Sequence, residues 1–247
     1  MSALTENIKL EIKKLSGNNS DFNKYVVFND VSFIIPKNKI TTLFAPMGSG
    51  KSTLLKLIMS QNNLNIKYYG NRIFYIPSEI VLIDGFTVAE NIKLYVSSHC
   101  EDKINDALKI VGLDGYKNHI PINRSKGFIF RVMLAIGLII KSDLIIIDDY
   151  FNNMRNITKI EIFNLLIELK NKMNLTFFIS SSNFSNSLTI SDKIIFAKGN
   201  PFEVLYDIDI ELNYQNLELK LESEQFSLLK DRLTKKLSEL RIRDIII

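Results

Sequence analysis

Residues 45–52 read Ala45-Pro46-Met47-Gly48-Ser49-Gly50-Lys51-Ser52, directly after the apolar run Ile40 to Phe44 and at the start of a helical pattern from Ser52 to Met59. A strand, a glycine-rich turn and a helix in that order form the context in which a P-loop holds phosphate, through backbone N–H groups and the helix N-terminus. Gly48 and Gly50 permit the backbone conformations that let those groups converge. Lys51 would reach the β and γ phosphates, and Ser52 would offer its hydroxyl to Mg2+. The strict pattern asks for glycine at position 45, where this chain has the small residue Ala45. The competing reading is a glycine turn with a surface lysine, and the flanking strand and helix favour nucleotide binding over it.

A P-loop metal also needs a carboxylate at the end of a neighbouring strand. Leu144-Ile145-Ile146-Ile147-Asp148-Asp149 supplies one, with Asp148 on the metal side. Taken alone, the same run is equally a core strand ending in a solvated turn. Further strands fit Arg72 to Ile76, Thr176 to Ser180 and Lys193 to Phe196, with helices between several of them, the layout of a parallel α/β sheet. Upstream, strand-like runs (Ile8 to Ile12, Tyr25 to Phe28, Val31 to Ile35) alternate with turn formers at Gly17-Asn18-Asn19 and Asn29-Asp30, which reads as an antiparallel β edge.

Between Thr87 and Gly137 strand signals vanish. Thr87 and Glu90 have capping-box spacing, and Ile104, Leu108 and Val111 make an apolar stripe ended by Gly112, so a helical insertion is predicted. Past Pro201, alternation through Phe202, Val204 and Tyr206 precedes an amphipathic helix from Glu222 to Leu240. Its stripe of Phe226, Leu229, Leu233, Leu237 and Leu240 would pack on the chain's own sheet or dock elsewhere, the former being favoured. The expected organisation is one domain over 1–247: a β edge at 1–36, a core at 37–76 and 140–200, a helical part at 77–139 and a β/helical extension at 201–247.

Of the 247 residues, 46% are hydrophobic and 23% charged, which excludes disordered, collagen-like and low-complexity classes. The 31 basic residues exceed the 27 acidic ones by only four, too few to argue for a nucleic-acid partner. The apolar run Val132 to Ile140 falls well short of the roughly 20 residues a spanning helix needs. The segment from Met1 lacks the basic and apolar stretches of a secretion signal, and Cys100 is the only cysteine, so a reducing, cytoplasmic home is expected. The histidines, His99 and His119, both lie in the helical insertion.

Phe28-Asn29-Asp30-Val31-Ser32-Phe33, the loop at 45–52, and Arg131-Val132-Met133-Leu134-Ala135 leading at fixed spacing into Asp148 together resemble the ATP-binding subunit of ABC transporters, over residues 22 to about 200. Tyr75-Ile76-Pro77-Ser78-Glu79, followed by Phe86-Thr87-Val88-Ala89-Glu90-Asn91-Ile92, looks like that family's Q-loop region. The resemblance implies an α/β P-loop NTPase fold, the ABC ATPase, with a RecA-like parallel sheet core, an antiparallel β subdomain and a helical subdomain. It implies ATP and Mg2+ as cofactors. Ala45, Met47, Gly48, Ser49, Gly50, Lys51, Ser52 and Thr53 would line the nucleotide; Ser52, Asp148 and Ser78 would serve the metal; Phe22 or Tyr25 would stack on adenine.

The implied partners are integral membrane transporter subunits and a second ATPase subunit, identical or different, with the chain peripheral on the inner face of the cell membrane and no nucleic acid bound. In this family each ATP lies between one subunit's P-loop and the other's signature segment, usually Leu-Ser-Gly-Gly-Gln. The corresponding residues here are Arg124-Ser125-Lys126-Gly127-Phe128. Ser125 and Gly127 keep a hydroxyl and a phosphate-facing glycine, while Lys126 adds a bulky cation and Phe128 replaces an amide.

Other positions depart as well. The catalytic glutamate is Asp149, one methylene shorter; the Q-loop glutamine is Ser78, with Glu79 beside it; the switch histidine is Ser182; the bridging turn reads Asn152-Asn153-Met154-Arg155. The resemblance therefore implies an ATP-binding transporter subunit with slow or absent turnover at its own site, paired with a competent partner or acting as an ATP-gated clamp. Two alternatives stand beside it: an active ATPase in which Asp149 and Glu79 carry reduced chemistry, with Asp149 as catalytic carboxylate and Lys51 as a further catalytic candidate, and a non-transport relative acting on nucleic acid or ribosomes.

Overall fold

In a computed structural model, the chain is described at residues 7–19, 23–61, 63–96, 101–122, 124–199, 201–212 and 217–239. Phe22, His99 and Cys100 lie outside these residues, as does the side chain of Tyr25.

Two sheets organise the fold. The larger has six strands in the order β5 (Ile73–Ile76), β6 (Leu144–Asp148), β7 (Thr176–Ser181), β3 (Ile40–Phe44), β8 (Lys193–Lys198) and β9 (Glu203–Asp209). Its first five strands pair in parallel, and β9 adds antiparallel to β8. The central strands β6, β7 and β3 are buried along their whole length because both faces are covered, so successive side chains alternate between two cores. Leu144 and Ile146 join the core beneath α1 (Lys51–Ser60), whereas Ile145 and Ile147 join the core of the helical side.

The smaller sheet is antiparallel, in the order β2 (Asn23–Pro36), β1 (Ile8–Asn19), β4 (Ile66–Tyr68). The turn formers Gly17-Asn18-Asn19 and Asn29-Asp30 do not break these strands. Asp30 takes a left-handed φ of 48°, its N–H donates to Ser16 Oγ at 2.9 Å, and the ladder shifts register nearby, so the chain absorbs them as bulges. A short polar stretch carries the same composition in a bulge as in a turn. β4 falls inside the stretch 37–76 expected in the core, yet it pairs with β1, because the chain returns to the smaller sheet between α1 and β5.

The helical part comprises α2 (Val88–Lys93), α3 (Glu101–Ile110) and α4 (Lys126–Ile139), and no strand occurs among its described residues. The expected capping box is formed, with Thr87 Oγ1 accepting from Glu90 N and the Glu90 carboxylate accepting from Thr87 N. Next come α5 (Asn156–Met173) and α6 (Phe184–Ile190), and after β9, α7 (Leu217–Glu222) and α8 (Glu224–Glu239). The terminal helix expected from Glu222 to Leu240 is α8, which begins at Glu224, and the short α7, which the pattern did not predict, precedes it; Leu240 lies outside the described residues. Phe226, Leu233 and Leu237 of α8 are buried against Phe44, Phe184 and Phe196, so its stripe packs on the chain's own sheet. No helix among the described residues is long and apolar enough to cross a membrane.

Candidate functional site

β3 delivers the chain to the carboxyl edge of the large sheet at Phe44, and α1 carries it away from Lys51. Between them Gly48 (φ 74°) and Gly50 (φ 108°) take left-handed conformations that other residues rarely adopt, which turns the loop back on itself. Ala45 is fully buried and its N–H donates to Ser181 O at 3.1 Å, so the first position of the loop is anchored to β7. Lys51 is only 5% exposed, and its Nζ donates to Ala45 O at 2.8 Å and Pro46 O at 2.9 Å. Burial lowers the Lys51 ammonium below the usual lysine range, and the charges of Asp149 and Asp148 oppose that shift.

A cleft of about 470 Å³ opens at this edge. Met47, Gly48 and Gly50 to Thr53 form one wall; Ser78, Glu79 and Asp149 form the other. The structure therefore brings the loop, the Q-loop position and one carboxylate together. Ser125 and Gly127 do not line it. Ser125 caps α4, accepting from Phe128 N at 3.3 Å, and Gly127 is buried, so that a Cβ there would sit 2.4 Å from Thr158 Cγ2 on α5.

The two aspartates differ sharply. Asp148 is 2% exposed: its Oδ1 accepts from Ser180 Oγ at 2.7 Å and its Oδ2 from Tyr75 OH at 2.8 Å. Burial and the Asp148 charge push the Tyr75 phenol upward, so it stays a donor. Asp149 faces the cleft, with Oδ2 3.9 Å from Lys51 Nζ. Its Oδ1 accepts from Asn152 Nδ2 at 2.8 Å and Ser182 N at 3.1 Å, and its Oδ2 from Ser182 Oγ at 2.8 Å.

Tyr75, Ser180 and Gly199 escape sequence reading as site residues. Gly199 follows β8, and a Cβ there would lie 2.6 Å from Ser49 Cα, so the loop rests on bare backbone. A visible signal is the polar end Ser180-Ser181-Ser182 of an otherwise apolar strand.

The residues present fit a polyphosphate. The α1 N-terminus carries no side-chain cap and no acid in its first turn, leaving free N–H donors, and Ser49 Oγ is buried without a partner. Among the described residues no three His, Cys, Asp or Glu gather as a cation site. A divalent ion would rest on Ser52, one carboxylate and phosphate oxygens, the usual arrangement for Mg2+.

A glycine-rich loop at the carboxyl edge of a parallel sheet, a helical insertion and a small antiparallel sheet define a P-loop nucleotide-binding cassette. The family model described as ABC transporter matches residues 28–152, and the chain belongs to that family. It is 28% identical over 195 residues to the zinc import ATP-binding protein ZnuC of Rickettsia prowazekii, covering 76% of this chain and 81% of that protein. It is 23% identical over 195 residues to the aliphatic sulfonates import ATP-binding protein SsuB 2 of Pseudomonas syringae pv. tomato, covering 77% and 84%. The structure of cbiO1 from Clostridium perfringens, part of the ABC transporter complex cbiONQ, superposes with a TM-score of 0.71 at 17% identity, covering 96% of this chain and 99% of that one. The fold is that of the ABC ATPase cassette.

Proposed function

We propose that the chain is the ATP-binding subunit of a membrane ABC transporter complex. It holds Mg-ATP between its own P-loop and the facing signature segment of a second ATPase subunit, identical or different, with weak or no hydrolysis at its own site. The observation that carries this is the pairing of an anion-ready loop, with buried Lys51 and an uncapped α1, to an Asp149 carboxylate already occupied by Asn152 and Ser182. Lys51 and the α1 N–H groups bind and orient the phosphates, and bound Mg2+ offsets part of their charge beside Ser52. A general base needs a free oxygen at hydrogen-bond distance from its water, about 2.6 to 3.2 Å. Asp149 is shorter than glutamate and tied down.

Both named relatives serve import, and we read this chain as serving uptake at the cytoplasmic face, its cargo chosen by the membrane subunits. Support for that docking comes from Val81 (88% exposed), Ile83, Leu94 and Tyr95, apolar side chains standing open around the Q-loop and α2. The test is co-purification from native membranes followed by ATP binding and phosphate release on the complex. Integral membrane proteins should copurify, ATP should bind saturably, and Lys51→Ala should abolish binding. Absence of saturable binding overturns the reading. A second reading, an active ATPase with Asp149 as catalytic carboxylate, draws on the position of Asp149 in the cleft. Brisk phosphate release that Lys51→Ala and Asp149→Asn both abolish would establish it.

A further inference from the structure

A second cavity, also of about 470 Å³, opens at the amino edge of the large sheet, opposite the P-loop. Its walls are the later turns of α5, the end of α6, the chain just past β9, and α7. Asp192 fixes its place: Oδ2 accepts from Ile40 N at 2.7 Å, where β3 begins, whereas the phosphate loop leaves β3 at the other end. Ile190, Ile210 and Leu217 are buried, and Ile167 and Leu212 half-buried, so aliphatic side chains supply much of the lining. This volume, with an apolar wall and a few polar groups, fits a small-molecule site, for which about 300–1,000 Å³ is usual.

Three lysines and two acids line the cavity, and four of these five charges cancel locally. Lys170 Nζ donates to both carboxylate oxygens of Asp192, at 2.9 and 3.0 Å, and Lys172 Nζ donates to Glu168 Oε1 at 2.7 Å on the exposed rim. Lys220 is left over. It is 7% exposed, and its ammonium donates to neutral acceptors, Leu188 O at 3.2 Å and Thr189 O at 2.7 Å, with the Phe226 ring centroid 5.9 Å away. Among the described residues no carboxylate is paired with it, and the nearby Asp192 is already held by Lys170. An ammonium has three protons, so one donor remains. Burying a cation without a counter-ion costs free energy, and burial accordingly lowers the Lys220 pKa to about 8, with Asp192 opposing that shift and Lys170 adding to it. A ligand bringing a single negative charge would balance this wall. A dianion such as a phosphate monoester would carry charge to spare past Asp192 and Glu168.

We propose that this cavity is a binding site for a small aliphatic monocarboxylate, its carboxylate seated on the Lys220 ammonium and its chain against the isoleucine and leucine wall. The site shares no lining residue with the nucleotide cleft and does not rest on the reading of that cleft.

The experiment is a calorimetric titration of the full chain with octanoate, beside octanol and inorganic phosphate. Octanoate should bind saturably and the other two at least about tenfold more weakly, since one lacks the charge and the other the chain. Because the charged lysine is the form that binds, octanoate affinity should fall roughly tenfold or more from about pH 7 to about pH 9.5. Lys220→Met should weaken octanoate binding at least about tenfold and abolish its pH dependence. Ile167→Trp, at a half-buried position of the wall, should fill the cavity and block octanoate, which keeps the result readable should Lys220→Met fail to fold. Absence of saturable octanoate binding overturns the proposal. So does octanol or phosphate binding as tightly as octanoate, an octanoate affinity that does not change with pH, or undiminished binding in the variants.

Discussion

Gly199 meets the backbone of Ser49 rather than a movable side-chain end, and a Cβ would lie 2.6 Å from Ser49 Cα and 2.8 Å from its Cβ. Gly199→Ala must therefore push the P-loop itself. It should weaken ATP binding at least tenfold in a titration, with a loss of about 1–3 kcal/mol in unfolding free energy, the usual cost of overpacking. An unchanged ATP affinity would show that the loop does not depend on this support. Lys51, Gly48 and Gly50 were legible from sequence because their spacing between a strand and a helix has one strong meaning. Gly199 was not, since it reaches the loop only through the pairing of β8 beside β3. The different surroundings of Asp148 and Asp149 were equally hidden. They depend on Tyr75 and Ser180 arriving from two other strands to cover the first carboxylate.

Between elements, a glycine and a lysine set the packing. Gly127 lets α4 approach α5 so closely that an alanine Cβ would sit 2.4 Å from Thr158 Cγ2. Gly127→Ala should cost about 1–3 kcal/mol in denaturant unfolding, and Thr158→Ser, which deletes that methyl group, should recover much of it in the double variant. Additive losses would place the clash elsewhere. Lys220 of α7 reaches the end of α6, where its ammonium donates to Leu188 O at 3.2 Å and Thr189 O at 2.7 Å. Burial lowers its pKa from 10.5 to about 8, with Lys170 adding to the shift and Asp192 opposing it. Between those values the unfolded chain binds more protons than the folded one, so this group's contribution to stability is flat below about 8 and rises with pH up to 10.5. Urea unfolding of the unaltered chain and Lys220→Met at successive pH values should show that slope only in the former, measured below 10 where the tyrosines begin to ionise. The capping box of α2 and the strands of the large sheet were readable because local chemistry decides them, whereas β4 was not. The bulges of β1 and β2 were not, because a polar pair signals a turn and a bulge alike.

Over the whole molecule, the parallel pairing of the large sheet follows from alternating strands and helices, and the helical insertion from the loss of period-two patterning, whereas the order of the strands across the sheet is not in the pattern. What pattern alone left open was where the terminal helix goes. An amphipathic stripe demands a partner without naming it. The answer lies in the third core, where β3, α6 and β8 leave Phe44, Phe184 and Phe196 on one face and Phe226, Leu233 and Leu237 of α8 join the residues that cover them. Tyr206 of β9 stacks on Phe196 with ring centroids 4.4 Å apart, and Lys236 of α8 sets its ammonium 3.8 Å above the Tyr206 ring. A helix held in this way is part of the fold. Leu233→Ala should therefore cost about 2–5 kcal/mol in thermal or denaturant unfolding, the range for emptying a buried leucine site. Truncation after Ser223 should bare the phenylalanine cluster, lower the melting temperature and bring dye binding typical of exposed apolar surface. The same two samples, compared by sedimentation, separate packing from docking. If α8 serves mainly to join subunits, the truncated chain stays as stable as before and loses self-association. If it closes the third core, stability falls first, and the loss is the same at every protein concentration because the contact lies within one chain.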